Sequence, residues 1–251
     1  MDNKEKFSNK AENYAKYRPS YPSEFIHYLL YEADLLNSVV ADIGAGTGIL
    51  TKLLSGGVNK IYSIEPNYQM RSACIKYCSA YDNIIIKDGS AEETELNDNS
   101  IDFITVAQAF HWFDKNKCKI EFHRILRKNG KLVLVWNNRT PSNELVKEND
   151  ELCRFLCPDF KGFAGGSETN PESESDIFLN GICEYKVFDN DRLLTLEEYM
   201  GGSLSSSYAP SEQDSNYYEF IAGLKLLFKK YNRNGKILIP NKTYSYFGEI
   251  S

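Results

Sequence analysis

The sequence predicts an α/β domain built on a mostly parallel sheet with helices on both faces. Two observations carry that prediction. Short apolar runs alternate with helix-period segments through the first half of the chain, the pattern of strand–crossover–strand units. The first of those runs, VVADIG at 39–44, drives into a turn holding Gly44, Gly46 and Gly48, after which a helical pattern begins. Sheets of this kind bind ligands beyond the carboxyl ends of their strands, where the strand order reverses. Functional residues are therefore expected just after each strand.

The elements follow in order. Residues 39–44 read as a buried strand and 49–54 as the start of a helix. Residues 60–65 (KIYSIE) alternate as a strand, and 67–80 suit a helix with Asn67 as its N-cap. Residues 83–87 and 101–108 (IDFITVAQ) read as the third and fourth strands. A helix over 114–127, opened by Asp114 and closed near Gly130, leads to a fifth strand at 131–136 (KLVLVW). The second half is less regular. An amphipathic helix is expected over 141–159, a Gly-, Ser- and acid-rich loop over 161–176, a strand over 182–189 and a short helix over 195–200. Apolar spacing at Phe220, Leu224 and Leu227 marks a helix within 210–231. Residues 236–250 are strand-like, with an irregular point near Asn241 and Lys242.

Composition bounds the classes of function. The 251 residues are 42% hydrophobic and 25% charged, which supplies enough apolar surface for a core. A net charge of -6 repels phosphate backbones and anionic lipid, so neither nucleic acid nor membrane is an expected partner. The first residues carry no apolar run of signal-peptide type, and no stretch nears bilayer-spanning length, so a cytoplasmic protein is expected. The 6 cysteines are then reduced thiols. The pairs Cys74/Cys78 and Cys153/Cys157 share a four-residue spacing, but with only 3 His in the chain no metal site is expected.

The strongest local signal is Asp42-Ile43-Gly44-Ala45-Gly46-Thr47-Gly48. Glycine there permits a tight turn and close approach of backbone to a ligand. The dinucleotide fingerprint is G-x-G-x-x-G; here the third glycine comes one residue early, Ile49 holds its place, and no lysine follows as in a phosphate loop. Glu65 ends the next strand. An ionised carboxylate is an acceptor only, and a ribose diol offers two donors to match it. Asp88-Gly89-Ser90-Ala91-Glu92 follows the third strand, where Ser90 and Glu93 also suit a capping box opening a helix. Ala107-Gln108-Ala109-Phe110-His111-Trp112-Phe113-Asp114 follows the fourth.

A G-x-G-x-G loop behind an acidic strand residue resembles the first motif of the Rossmann-like S-adenosylmethionine-dependent methyltransferases. The HWF core at 111–113, the YAKYRPSYP segment at 14–22 and SLSSSY at 203–208 resemble, more narrowly, small-molecule members of the type 11 family, among them the trans-aconitate methyltransferase-like proteins. The resemblance covers nearly the whole chain. It implies a seven-stranded, mostly parallel sheet with helices on both faces and an antiparallel last strand. It implies S-adenosyl-L-methionine as cofactor and a small-molecule acceptor, a carboxylic acid being one candidate. The resemblance also implies roles: Asp42, Gly44, Ala45, Gly46 and Thr47 in the first cofactor loop, and Glu65, Pro66 and Met70 at the ribose. Asp88 would face the adenine amine, with Gly89, Ser90, Ala91 and Glu92 around the ring. Ala107, Gln108 and Ala109 would lie near the transferable methyl. The segment from Tyr14 to Pro22 is expected to fold over the cofactor as a lid through Tyr14, Tyr17 and Arg18, with ordinary amphipathic helix packing as the alternative.

Aromatic faces suit a sulfonium cation, and Tyr14, Tyr17 and Trp112 are the candidates. His111 is a candidate general base, with packing against Trp112 or orienting the loop as alternatives. His111, Trp112 and Arg139 are the candidate substrate contacts; arginine grips a carboxylate with a bidentate fork. The whole chain reads as one domain over 1–251: an N-terminal lid at 1–36, a cofactor-binding core at 37–138, a cap and remaining sheet elements at 139–235, and a C-terminal strand at 236–251. Residues 141–176 and 193–217 are expected to set acceptor choice. Two other readings stay open: a nucleotide-dependent oxidoreductase, which the glycine spacing disfavours, and a cofactor-binding regulator without turnover.

Overall fold

The computed structural model describes residues 17–163 and 178–250. Helix α1 (Ser23–His27), prolonged by a wider π-type segment over Tyr28–Glu32, leads into strand β1 (Val39–Ile43). Then come α2 (Ile49–Leu54), β2 (Lys60–Ile64), α3 (Tyr68–Cys78), β3 (Ile84–Lys87) and β4 (Ile101–Ala107). A short 3-10 turn at Phe110–Trp112 precedes α4 (Lys115–Ile125) and β5 (Leu126–Arg139). The remaining elements are α5 (Glu144–Leu156), β6 (Leu179–Asp189), β7 (Arg192–Leu194), α6 (Leu196–Leu204), α7 (Tyr217–Tyr231), β8 (Ile237–Ile239) and β9 (Asn241–Ile250).

The seven-stranded sheet runs β3-β2-β1-β4-β5-β9-β6. Strands β1 to β5 pair in parallel, and β9 is antiparallel to both β5 and β6. The order reverses between β1 and β4, which places a ligand crevice at their carboxyl ends. Alternation along the strands sorts the core into two layers. Ala41, Ile43, Ile104, Val106, Leu132 and Leu134 meet Phe122 and Ile125 of α4 on one face. Val40, Val133 and Val135 meet Leu50 and Leu54 of α2, and Phe25 and Leu29, on the other. A third cluster fills the cap, where Phe220, Leu224 and Leu227 of α7 pack on Leu145 and Leu156 of α5, Tyr199 of α6 and Ile237 of β8.

Several elements differ from those expected, each for a local reason. Helix α4 stops at Ile125 because Leu126 already pairs with Ile101; the chain turns through left-handed Asn129 (φ 67°) and rejoins the ladder at Lys131. No helix opens at Ser90. Instead Ser90 N–H donates to Glu93 O at 2.9 Å and Glu93 N–H to Ser90 O at 3.3 Å, closing a tight turn. The single C-terminal strand is two strands. Pro240 has no N–H for a ladder, and it separates β8, paired with β7, from β9 in the main sheet. Helix α6 outruns its expected end because a Thr195/Glu198 capping box starts it and Gly201 gives the Tyr17 ring room; a Cβ there would lie 2.4 Å from the ring. Most of the expected loop at 161–176 lies outside the described residues. No helix among the described residues is long and apolar enough to cross a membrane.

Candidate active site

One cavity of about 360 Å³ opens at the carboxyl ends of the central strands. Asp42, Gly44, Ala45, Gly46 and Thr47 reach it from β1 and the loop beyond, and Glu65, Pro66 and Met70 from the end of β2 and the start of α3. Ser90, Ala91 and Glu92 line it after β3, Ala107, Gln108, Ala109 and Trp112 after β4, and Arg18 from the N-terminal segment.

The three loop glycines all take positive φ, and each serves a different end. A Cβ on Gly44 would sit 2.6 Å from the Ala109 Cβ, so this glycine lets the first loop press against the loop after β4. A Cβ on Gly48 would sit 2.6 Å from the Cys74 Sγ, so that glycine seats α3. A Cβ on Gly46 would meet nothing within 4 Å; it would project into open space beside a ligand-sized cavity. Next to it, Thr47 is 1% exposed and its Oγ1 has no hydrogen-bond partner among the described residues. A buried hydroxyl facing a cavity in that condition fits a ligand polar group.

Two buried carboxylates stand behind this loop with different partners. Asp42 accepts from Thr51 Oγ1 at 2.5 Å and Thr105 Oγ1 at 2.9 Å, so it ties β1 to α2 and β4. Glu65 accepts Gly46 N–H through one oxygen and Asn67 N–H through the other, both at 2.8 Å. Burial raises the pKa of Glu65, partly offset by these two amides and by Arg71. Each Glu65 oxygen keeps lone-pair capacity toward the cavity. Arg71 bridges the next two loops: it donates to Glu65 O at 2.7 Å and to Asp88 at 3.0 Å. That pairing explains a departure from expectation. The Asp88 side chain is 71% exposed, engaged by Arg71, and outside the cavity wall. Gly89 is also outside the wall, packed on Ile64.

Glu121 of α4 braces the loop that carries Ser90 to Glu92. It accepts Thr94 N–H at 2.8 Å and Arg124 Nε at 2.8 Å, and its side chain is 10% exposed. Burial raises its pKa, but Arg124 and Thr94 outweigh that and hold it at about 2. After screening by solvent at the partly exposed Arg124 the depression is worth about 1–2 kcal/mol of folded-state stability. It is present above the ordinary glutamate range and is lost as pH falls toward 2. Glu121→Gln is accordingly expected to lower the melting temperature at neutral pH by roughly 2–8 °C, with the difference from wild type shrinking in acid; calorimetric melts over a pH series check this.

Beyond β4 the chain bends at Gln108, a non-glycine residue at φ 59° whose N–H donates to Val135 O at 2.9 Å. Phe110 anchors the following turn, edge-on to Phe178 at 5.0 Å and to Trp136 at 6.2 Å. This anchor presents Trp112 to the cavity and leaves His111 outside its wall, tilted against Trp112 at 4.7 Å. His111 is an exposed residue, with the Trp112 ring against one side of it. Desolvation, then the charge of Lys115, push its pKa down to about 4.

Tyr17 and Arg139 line a smaller chamber beside the main cavity instead of the cavity itself, and Tyr14 lies outside the described residues. Sequence reasoning missed Asn137 and Phe163 in the main wall, Arg71 behind it and Arg192 in the side chamber. Asn137 was within reach of the strand-end rule, being the first residue after the fifth expected strand. Arg192 sits on a strand of three residues, too short to show a period.

A parallel sheet with an antiparallel strand inserted beside β5, a glycine loop lacking dinucleotide spacing and a buried carboxylate one strand on define a Rossmann-like, nucleoside-cofactor-binding enzyme core. Comparison with known proteins narrows the class. Residues 41–134 match the methyltransferase domain family. An uncharacterized methyltransferase-like protein of Schizosaccharomyces pombe is 32% identical over 251 residues, spanning 97% of this chain and 94% of that protein. An uncharacterized methyltransferase of Mycobacterium bovis is 38% identical over 147 residues, and the match spans 58% of either protein. The YcgJ protein of Bacillus subtilis shares the fold, with a TM-score of 0.58 at 20% identity over 91% of this chain and 99% of that one. The chain belongs to the methyltransferase family that this domain match and the full-length relative define.

Proposed function

We propose that this protein transfers a methyl group from S-adenosylmethionine to a small-molecule acceptor, and that the acceptor is a carboxylic acid. One observation carries the cofactor part: the open space at Gly46, the unpartnered Thr47 hydroxyl and the two-oxygen face of Glu65 line the same cavity. In this reading Glu65 takes the ribose diol, Ser90 and Ala91 the adenine, and Thr47 with Arg18 the amino-acid end. The bound cofactor supplies an electrophilic methyl on its sulfonium. The chain aligns the acceptor and keeps water out, and alignment is worth ~7–11 kcal/mol of barrier. The segment from Tyr17 to Tyr21 serves exclusion. Asn190 Nδ2 donates to Ser20 O at 2.9 Å and Arg192 Nη2 to Tyr17 O at 2.8 Å, which pins this segment across the cavity mouth. The acid acceptor draws support from the likeness to the trans-aconitate methyltransferase-like proteins and from arginine beside the cavity.

A carboxylate acceptor is already ionised and needs no general base. That agrees with a His111 pKa of about 4, which makes the imidazole neutral and weakly basic at neutral pH. His111→Asn is expected to keep most of the activity, and kcat/KM to show no His111 inflection between about pH 6 and 8. An inflection there that disappears in the variant would restore the base. The overall reading is tested by calorimetry with S-adenosylmethionine, its demethylated product and NAD, followed by a labelled-methyl assay over an acid panel. Binding of the first two alone, with label transferred to an acid, is the expected result. NAD binding points to the oxidoreductase, and cofactor binding without transfer to a regulator.

A further inference from the structure

Beside the main cavity lies a chamber of about 90 Å³ whose wall holds Arg18, Arg139 and Arg192 and, among the described residues, no acidic side chain. Arg139 and Arg192 form no close ion pair among the described residues, only the more distant charge of Glu198 acting on Arg192, and like charges held together in this way persist where they serve an anion. The surrounding acids are engaged elsewhere. Glu197 accepts from Tyr17 Oη at 2.9 Å, Glu198 closes the capping box of α6, and Asp191 accepts Asn241 N–H at 3.0 Å. Burial, then the charges of Arg139 and Arg18, pull the Arg192 pKa down to about 10, which still leaves it charged at neutral pH.

A second observation is independent of charge. Three polar atoms in this wall, Arg139 Nη1, Tyr199 Oη and Asn241 Nδ2, are buried and have no hydrogen-bond partner among the described residues. Tyr199 is 2% exposed and Asn241 3%. All three are donors, and donors left unmade in a buried wall are costly unless a ligand completes them. The supporting positions are rigid: Arg139 lies over the Phe163 ring at 3.9 Å, and Arg192 is fixed by its bond to Tyr17 O. The chamber is the smaller of the two cavities. It shares Arg18, Pro19, Asn137 and Phe163 with the main cavity, so the rest of a molecule anchored here extends past Asn137 toward the loop after β4.

We propose that this chamber is an oxyanion subsite: Arg139 and Arg192, with Tyr199 and Asn241, grip a carboxylate or phosphate of the acceptor, while a different atom of the same molecule reaches the main cavity for methylation. The inference rests on the methyltransferase reading and adds that the acceptor carries an anionic anchor separate from the methylated group. For an acid acceptor this means at least two anionic groups.

The test uses the full chain saturated with S-adenosylhomocysteine, at constant ionic strength in chloride. Binding of inorganic phosphate, of glutarate and of the neutral dimethyl glutarate is measured by calorimetry. Wild type is compared with Arg139→Met, Arg192→Met, Tyr199→Phe and, as control, the exposed Arg233→Met, which lines neither cavity. The expected result is binding of glutarate or phosphate but not of the diester. It should be weakened tenfold or more by either chamber arginine variant, severalfold by Tyr199→Phe, and not at all by Arg233→Met. Whichever probe binds more tightly identifies the anchor as carboxylate or phosphate. No binding of either anion, equal binding of the diester, or equal loss in the control overturns the subsite. Should an arginine variant fail to fold, Tyr199→Phe decides alone. Affinity for S-adenosylhomocysteine is read in the same samples, and its absence in wild type would defeat the methyltransferase reading separately.

Discussion

Two alanines placed two residues apart should fail in different ways. Gly44→Ala is expected to destabilise the fold, and Gly46→Ala to leave it nearly intact while removing cofactor affinity. At Gly44 the new methyl would sit 2.6 Å from the Ala109 Cβ at a backbone φ of 69°. The left-handed conformation costs ~1–2 kcal/mol for a residue with a Cβ, and overpacking adds about 1–3 kcal/mol. The sum lowers the melting temperature by roughly 5–15 °C for a chain of this size. At Gly46 the φ is 59°, but a Cβ meets no atom within 4 Å, so only the conformational cost applies. Its methyl fills space in the cavity instead. Thermal melts with and without S-adenosylhomocysteine separate the two. Gly46→Ala should lose most of the ligand-induced stabilisation, and equal behaviour of the pair would mean the open space at Gly46 is not ligand space.

The second large effect is at Glu65. Its two oxygens already accept Gly46 and Asn67 N–H groups, so an amide in its place turns an NH2 toward one of those donors as well as losing charge toward the diol. A hydrogen bond to a charged group is worth about 1.5–3 kcal/mol. Glu65→Gln is therefore expected to weaken S-adenosylhomocysteine binding by roughly 10–150-fold, at about 1.4 kcal/mol per factor of ten. The pH dependence has a definite sign. Burial raises the Glu65 pKa, and the ionised form is the one that holds the diol. Wild-type affinity should then fall with decreasing pH starting above the usual glutamate range, and Glu65→Gln should flatten that limb. Titration calorimetry on both proteins between about pH 5 and 8 checks it.

These residues were legible in the sequence because each belongs to a contiguous strand-to-loop signal. Glycine at 44 and 46 marks a special backbone whatever surrounds it, and a glutamate ending a strand is placed by the strand. Asp88 shows where that logic stops. Its position after β3 was legible, but the partner that turns its carboxylate away, Arg71, lies on α3 and left no local mark. The side chamber was legible only in pieces: Arg139, Tyr17 and Arg18 stood out as site residues, but nothing local joined them to Arg192, Tyr199 and Asn241. Its residues come from the N-terminal segment, β5, β7, α6 and β9, and only folding brings positions 17, 139, 192, 199 and 241 together. The break at Pro240 shows the same limit: apolar character persists across it, so periodicity alone joined two strands that serve different sheets.

Four loops are expected to share one adenosyl ligand, and diffraction from crystals grown with S-adenosylhomocysteine tests this most directly. Density should place the ribose hydroxyls on Glu65, the adenine against Ser90 and Ala91, and the sulfur toward Gln108 and Trp112. Ordered ligand bound anywhere else, with that cavity filled only by solvent, would contradict it.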